Sequence, residues 1–109
     1  MEHYEFAFIS PTDHGESVQI TDSAELEYLL SEVKKYYPKM TSSGYKLPDG
    51  SLYGCELRNL SGQDRKNVRW YLIKLLCSRG WEPLGAVPDV YGTSNFTNFC
   101  YQFKHKVIG

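Results

Sequence analysis

The sequence predicts an α+β domain in which a single-layer antiparallel sheet carries two helices on one face. Three observations predict it: two amphipathic stretches of helical period, several short runs that alternate apolar and polar residues, and turn-forming residues between them. The chain has 109 residues, 41% of them apolar, which is enough for one hydrophobic core. We therefore treat residues 1–109 as one domain in the order β-α-β-β-α-β-β, which is the ferredoxin-like order with an added C-terminal strand.

The first strand is predicted at Tyr4–Ser10, where aromatic residues alternate with others at the two-residue period of a half-buried strand. The alternation places three rings on the core side and Ile9 on the outer side. The rings are Tyr4, Phe6 and Phe8. Residues 10–15 are turn-forming types that end the strand, and residues 18–20 are a candidate for a short extended piece before the first helix.

Asp22 predicts the start of the first helix, because Glu25 follows it at capping-box spacing. Apolar residues then recur at helical spacing until Pro38 ends the helix. These apolar residues are Leu26, Leu29, Leu30, Val33 and Tyr37. Such a stripe is expected to cover the molecule's own sheet.

A hairpin is predicted next, because Pro48-Asp49-Gly50 matches the residue pattern of a tight turn. It would pair residues 44–47 with residues 52–58. In the second of these strands one face carries Tyr53, Cys55 and Leu57.

The second helix is predicted from Gly62 to Arg79, with Ser61 as its N-cap. Its apolar residues form two neighbouring stripes. The first contains Val68, Leu72, Leu75 and Leu76, and the second contains Trp70, Ile73 and Cys77. An apolar arc this wide implies contact with more than one element, or a side left for a partner.

Gly80 is the expected positive-φ residue after the second helix, and Trp81 is expected to anchor the core. A strand is predicted at residues 81–87, with Pro83 indicating a sheet edge or a bulge. After a polar loop at 88–95, the last strand is predicted at 96–107, with its middle inside the sheet. One face of that strand carries Phe99, Tyr101 and Phe103.

Composition argues against several classes of function. Twelve Lys and Arg residues against thirteen Asp and Glu give a net charge of −1, which offers no net attraction to nucleic acid or to an anionic membrane surface. No apolar run reaches the length of a membrane span, and the N-terminus has no secretory pattern, so a cytoplasmic location is expected. Three widely separated cysteines are expected to be buried free thiols. They are Cys55, Cys77 and Cys100.

No motif for catalysis, for a cofactor or for a metal is present. Paired ligands at zinc-site spacing and the glycine clusters of phosphate loops are both missing. His3 and His105 would approach each other only if the first and last strands pair. We therefore expect a protein that is not an enzyme, with no cofactor, and an enzyme would need a pocket that gathers His3, His105 or Glu82.

Single-stranded nucleic acid, or a small ligand, on an aromatic sheet face is the alternative to protein binding. The predicted order β-α-β-β-α-β is that of RNA-recognition domains. Their third-strand consensus is kept here only at Tyr53-Gly54, and Glu56 adds a negative charge, which argues against nucleic acid.

Three short motifs carry a resemblance to known domains. They are Tyr4-Glu5-Phe6, Gly80-Trp81-Glu82 after an apolar helix, and Tyr101-Gln102-Phe103-Lys104. In these the chain resembles the small domains of the DUF4177 type. Residues 80–91 are also similar to segments of the raftlin family, whose membrane role is not carried over because no acylation site is evident at the N-terminus. Both resemblances imply a compact binding or assembly module and transfer no catalytic residue.

The leading hypothesis is accordingly a non-enzymatic module that binds another protein or itself. The wide apolar arc of the second helix motivates it. Trp, Tyr and Arg dominate the energetics of protein interfaces, so the predicted anchors are Arg69, Trp70 and Tyr71.

Overall fold

The computed structural model describes residues 2–13, 15–46, 48–89 and 98–108. Its elements, in chain order, are β1 (Glu2–Pro11), β2 (Glu16–Ile20), α1 (Ser23–Tyr36), β3 (Thr41–Lys46), β4 (Tyr53–Arg58), α2 (Gly62–Ser78), β5 (Glu82–Asp89) and β6 (Asn98–Ile108). The strands of this described part form one antiparallel sheet, and both helices contribute to one buried cluster with it. The predicted α+β class with a single antiparallel sheet is confirmed.

The strands lie in the order β3-β4-β2-β1-β6-β5. Strand β4 lies between β2 and β3, which α1 connects, and it runs antiparallel to both. This is the split β-α-β unit of ferredoxin-like folds. On the other side of β2 lies β1, followed by β6 and β5. The first and last strands of the chain are therefore neighbours, in the middle of the sheet.

The short extended piece predicted at 18–20 is a complete strand, β2, that forms a hairpin with β1. It adds one strand before α1, so the observed order is β-β-α-β-β-α-β-β. Glu16 explains why the sequence signal was weak. It occupies the first position of the buried series Glu16, Val18, Ile20, and a carboxylate there hides the apolar alternation.

The helix boundaries follow the predicted caps. Asp22 Oδ1 accepts hydrogen bonds from the backbone N–H groups of Ala24 and Glu25 at 3.0 and 3.2 Å. Ser61 Oγ accepts one from the N–H of Asp64 at 3.2 Å. The chain leaves α2 through Gly80 at φ +88°, a conformation that glycine adopts without a steric penalty. These short-range predictions are confirmed because their partners lie within four residues.

The core lies between the helices and one face of the sheet. Trp81 and Phe103 are 3% and 1% exposed there, as predicted for both regions. On β1, however, Ala7 and Ile9 face the helices, while Tyr4 and Phe6 are exposed on the other side. The prediction that the rings of β1 face the core is therefore wrong for these two.

The pairing of β1 with its neighbours explains this reversal. Phe8 lies opposite Gln19 of β2 and Gln102 of β6, and Phe6 lies opposite Lys104. The polar side chains of both neighbours keep that face in water. On the helix side Ala7 lies opposite Phe103, whose ring fills the space that the small alanine leaves.

At one edge of the sheet, the position of β5 confirms the prediction made from Pro83. This strand is at the edge, and its register with β6 shifts between Pro83 and Gly85, which is a bulge. Strand β6 lies between β1 and β5, as predicted for its middle, although Phe99 is 42% exposed. Most of the predicted polar loop, residues 90–95, lies outside the described residues, as does Leu47 of the predicted hairpin.

The three cysteines form no disulfide within the described residues, but they are not all buried. Cys55 is buried, Cys100 is half-buried and Cys77 is exposed. The prediction is wrong for Cys77 because it belongs to the second apolar stripe of α2, which the sheet does not cover. Within the described ranges, the helices are too short or too polar to cross a membrane.

Candidate protein-contact surface

The face of the sheet opposite the helices carries three exposed aromatic side chains, Tyr4, Phe6 and Tyr45. We call it the open face. Because side chains alternate along each strand, the paired registers define its members. They include Tyr4, Phe6 and Phe8 on β1, Ser17 and Gln19 on β2, Thr41, Ser43 and Tyr45 on β3, Glu56 and Arg58 on β4, Glu82 on β5, and Gln102, Lys104 and Lys106 on β6.

The centre of the open face is a row of three rings along β1, which we call the aromatic row. Tyr4 and Phe6 are 47% and 39% exposed, and Phe8 is half-buried. Alternate residues of a strand are about 7 Å apart, so the row extends for about 14 Å. Strand β6 pairs with β1 at all three ring positions, and β2 pairs with it at Phe8.

Lysines flank one end of the aromatic row. Lys104 Nζ lies 5.2 Å from the centroid of the Tyr4 ring, within the range of a cation–π interaction. The same ammonium lies 3.8 Å from Glu82 Oε2 on β5. Lys106 lies directly opposite Tyr4 in the register. This end of the face therefore combines an aromatic ring with cationic groups.

Tyr45 closes the other end of the open face. Its ring leans across β4 above Gly54, where an added Cβ would lie 2.2 Å from the ring carbon Cζ. Its hydroxyl accepts a hydrogen bond from Gln19 Nε2 at 2.8 Å and lies 3.2 Å from Ser17 Oγ. Since Gln19 is also the neighbour of Phe8, this network ties the ring of Tyr45 to the aromatic row.

The charges of the open face are largely compensated within it. Arg58 Nε donates to Glu56 Oε1 at 2.7 Å, and Lys104 has Glu82 nearby. These pairs are partly exposed, so each contributes little to stability. A partner that binds this face therefore meets apolar rings between paired charges, and not a surface of uniform positive charge.

The predicted anchor Arg69 is engaged inside the molecule. Its guanidinium donates from Nη2 to Glu16 Oε1 at 2.7 Å and from Nε to Oε2 at 3.3 Å. Glu16 is fully buried, and burial raises its pKa while the facing Arg69 opposes the rise. Arg69 therefore holds α2 against β2, and its charge is not presented to a partner.

Trp70 and Tyr71 point in other directions, because successive helical residues are about 100° apart. Trp70 is 63% exposed, with its ring centroid 6.5 Å from that of Tyr101. Tyr71 is half-buried and packs edge-on against Tyr36 at 5.4 Å. The three predicted anchors therefore do not form one surface. Their role in partner binding stays a prediction, and of the three only Trp70 has a mostly exposed side chain.

Of the groups that an enzyme would need, His3 and His105 lie on the same face of the paired strands β1 and β6, on either side of Glu5, whereas Glu82 lies on the other face. His3 Nε2 lies 3.2 Å from Glu5 Oε1, and His105 stacks on Trp81 at a centroid distance of 5.1 Å. Glu82 points to the open face with Lys104, on the other side of the sheet from His105. Over the described residues, no group of three His, Cys, Asp or Glu side chains could hold a metal ion.

A shallow pocket of about 260 Å³ lies between the end of α1 and the start of α2. Tyr36, Tyr37 and Leu60 are among the residues that line it, together with the carboxylate of Asp64. It contains neither a histidine nor a nucleophilic thiol, so it offers no catalytic set.

Sequence reasoning identified the rings of β1 but assigned them to the wrong face. A usable signal was present in their neighbours, since Gln102 and Lys104 alternate with Phe103 on the strand that pairs with β1. Neither a protein-family model nor a curated protein matches this chain. The resemblance to DUF4177-type and raftlin domains accordingly stays a prediction.

Proposed function

We propose that this chain is a non-enzymatic protein-interaction module whose contact surface is the open face of its sheet. The observation that supports the proposal is the aromatic row, which stands uncovered on the central strand β1. Aromatic side chains are enriched at the centres of protein interfaces, because a rigid ring buries much area for little loss of conformational entropy.

The partner is a protein whose contact region is apolar at its centre and polar at its rim. The rings of Phe6 and Phe8 face the apolar centre. The pairs Lys104–Glu82 and Arg58–Glu56 lie at the rim. Charge pairs at the rim of such an interface fix its orientation more than they add affinity.

Single-stranded nucleic acid on the same face is the second candidate. The cation beside the ring of Tyr4 favours it, because base-stacking platforms combine aromatic rings with basic grooves. The net charge of −1 and the pairing of Arg58 and Lys104 with carboxylates favour a protein instead.

Photo-crosslinking from the open face tests the proposal. Phe6 is replaced by p-benzoylphenylalanine in cells that express the chain, and the crosslinked protein is identified and purified. Its dissociation constant is then measured with the wild type, with Phe6→Ser and with Phe99→Ser. Phe99 is a matched control, because it is also a phenylalanine and is 42% exposed, but it lies on the helix side of β6. We expect Phe6→Ser to weaken binding at least about tenfold and Phe99→Ser to change it less than about twofold.

Equal binding by the wild type and Phe6→Ser would refute the open face as the contact surface. A parallel titration with single-stranded RNA separates the two candidates. If RNA binds at low salt, weakens as salt rises and is lost in Phe6→Ser, the nucleic-acid function replaces the proposed one.

A further inference from the structure

The two edges of the sheet differ in how they are protected against pairing with another strand. Within the described residues no strand lies beyond β3 or beyond β5. Strand β5 contains Pro83 and Pro88, which have no N–H to donate, and a bulge interrupts its register after Pro83. Proline and bulges are the devices by which natural sheets prevent edge-to-edge association.

Strand β3 has none of these devices. Its six residues pair with β4 in unbroken register from Thr41↔Arg58 to Lys46↔Tyr53. All six are exposed, and the sequence Thr-Ser-Ser-Gly-Tyr-Lys contains no proline and a single charge, at its end. The outer edge of β3 is therefore a regular strand whose backbone groups can pair with a further strand.

The side chains of β3 leave that edge accessible. Its largest ring, Tyr45, leans inward across Gly54 and is fixed there by Gln19. The middle residues Ser42, Ser43 and Gly44 are small. A second backbone can therefore approach the outer edge without displacing a bulky group.

We propose that β3 pairs antiparallel with β3 of a second copy of this chain, with Ser43 of each protomer opposite Ser43 of the other. Residues 41–45 carry no charge, so this segment can face its own copy without repulsion, and the charge of Lys46 sets the direction. A parallel pair would place Lys46 beside Lys46. The antiparallel pair overlaps residues 41–45 and leaves the two lysines beyond opposite ends of the overlap, about 20 Å apart along the strands.

A two-fold axis perpendicular to the sheet relates the two protomers in this arrangement. Such an axis keeps the same face of both sheets on the same side. The two open faces then belong to one continuous sheet surface, with the Ser43 side chains nearest the axis. The proposal does not depend on what the open face binds.

Disulfide trapping tests the register. In a Cys77→Ser background, which removes the exposed native thiol, Ser43→Cys places two thiols directly across the axis. Directly opposite Cα atoms in an antiparallel pair are about 5 Å apart, which suits a disulfide. The matched control is Ser42→Cys, whose Cα atoms would be about 8 Å apart and beyond the bridging limit of about 7 Å. We expect a crosslinked dimer from Ser43→Cys and little from Ser42→Cys or Leu84→Cys.

Charge substitution at the same position tests the equilibrium. Sedimentation over a wide concentration range should show a dimer for the wild type, and Ser43→Lys or Ser43→Glu alone should raise its dissociation constant at least about tenfold, since like charges then face each other. An equimolar mixture of the two should restore a dimer, while Leu84→Lys should leave it unchanged. Circular dichroism and the unfolding midpoint verify that each variant is folded.

Two results would overturn the proposal. One is a wild type that stays monomeric at every concentration, with Ser43→Cys crosslinking no faster than Leu84→Cys. The other is a dimer that survives Ser43→Lys, and especially one that Phe6→Ser dissociates, because that dimer would be formed by the open face. Neither result bears on whether the open face binds a different protein.

Discussion

At the scale of single residues, Gly15 lies where the connection between β1 and β2 passes closest to β4. A Cβ added to Gly15 would lie 1.8 Å from the carbonyl oxygen of Leu57 and 2.9 Å from its carbonyl carbon. Both atoms belong to the backbone of β4, which pairs on both sides with other strands. Rotation of a side chain therefore cannot relieve this steric clash.

Gly15→Ala is expected to lower the free energy of unfolding by about 3 kcal/mol, because the backbone of β2 or β4 must shift to make room. Urea denaturation measures this free energy of unfolding. The control is Gly62→Ala at the start of α2, where an added Cβ has nothing within 4 Å. That substitution should change the free energy by no more than about 0.5 kcal/mol. Equal effects of the two substitutions would contradict the close approach at Gly15.

At the scale of elements, one buried ion pair connects the hairpin of β1 and β2 to α2. The Glu16 carboxylate is fully buried and receives hydrogen bonds from both Nε and Nη2 of Arg69. Arg65 also contributes a favourable charge at this carboxylate. A buried carboxylate without such donors would be strongly destabilising, so this pair fixes where α2 rests on the sheet.

The pKa of Glu16 is raised above its ordinary value of 4.5 because burial disfavours the ionised form more than Arg69 favours it. Below pH 4.5 the carboxyl is protonated in both the folded and the unfolded chain. As pH rises through the ordinary and then the raised pKa, the unfolded chain loses this proton first. Glu16 therefore contributes stability at low pH that is lost as pH rises.

Comparing the wild type with Glu16→Gln tests this sign, since other titrating groups largely cancel in the difference. The unfolding free energy of the wild type minus that of the variant should fall as pH rises from about 4 and then level off above the raised pKa. Urea denaturation at a series of pH values measures it. A difference that grows with pH would show that the attraction of Arg69 outweighs burial.

The two helices were predictable from the sequence, and β2 only in part, at residues 18–20, for one physical reason. A helix is specified by groups close in sequence, such as the cap at Asp22 or the positive φ at Gly80. Strand β2 is specified by pairing across the sheet and by an ion pair between residues 53 positions apart. From the sequence alone, the glutamate at the first buried position of β2 is predicted to face solvent. Only the contact with Arg69 explains why it is buried.

At the scale of the whole molecule, the sequence leaves the two sides of the sheet ambiguous. Strand β1 is apolar on both faces, so its alternation alone cannot show which face the helices cover. The choice depends on Gln19 of β2 and on Gln102 and Lys104 of β6, which become its neighbours only after the sheet has formed. The candidate site was hidden by the same ambiguity, because the open face is the side that the helices do not cover.

Two phenylalanines on neighbouring strands test this sidedness. Phe103 on β6 is 1% exposed under the helices, and Phe6 on β1 is 39% exposed on the open face. Removing a buried ring loses its transfer free energy and leaves a cavity, so Phe103→Ala should lower the unfolding free energy by about 3–5 kcal/mol. Phe6→Ala creates no enclosed cavity and should cost about 1 kcal/mol or less.

Urea denaturation of the two variants under identical conditions measures the difference, and circular dichroism verifies that both are folded at the start. Similar large losses for both would mean that the rings of β1 belong to a second core, which would also remove the basis for a contact surface there. A small loss for Phe6→Ala leaves its exposed ring without a role in stability. A ring on the central strand that contributes little to folding is what the proposed contact surface requires.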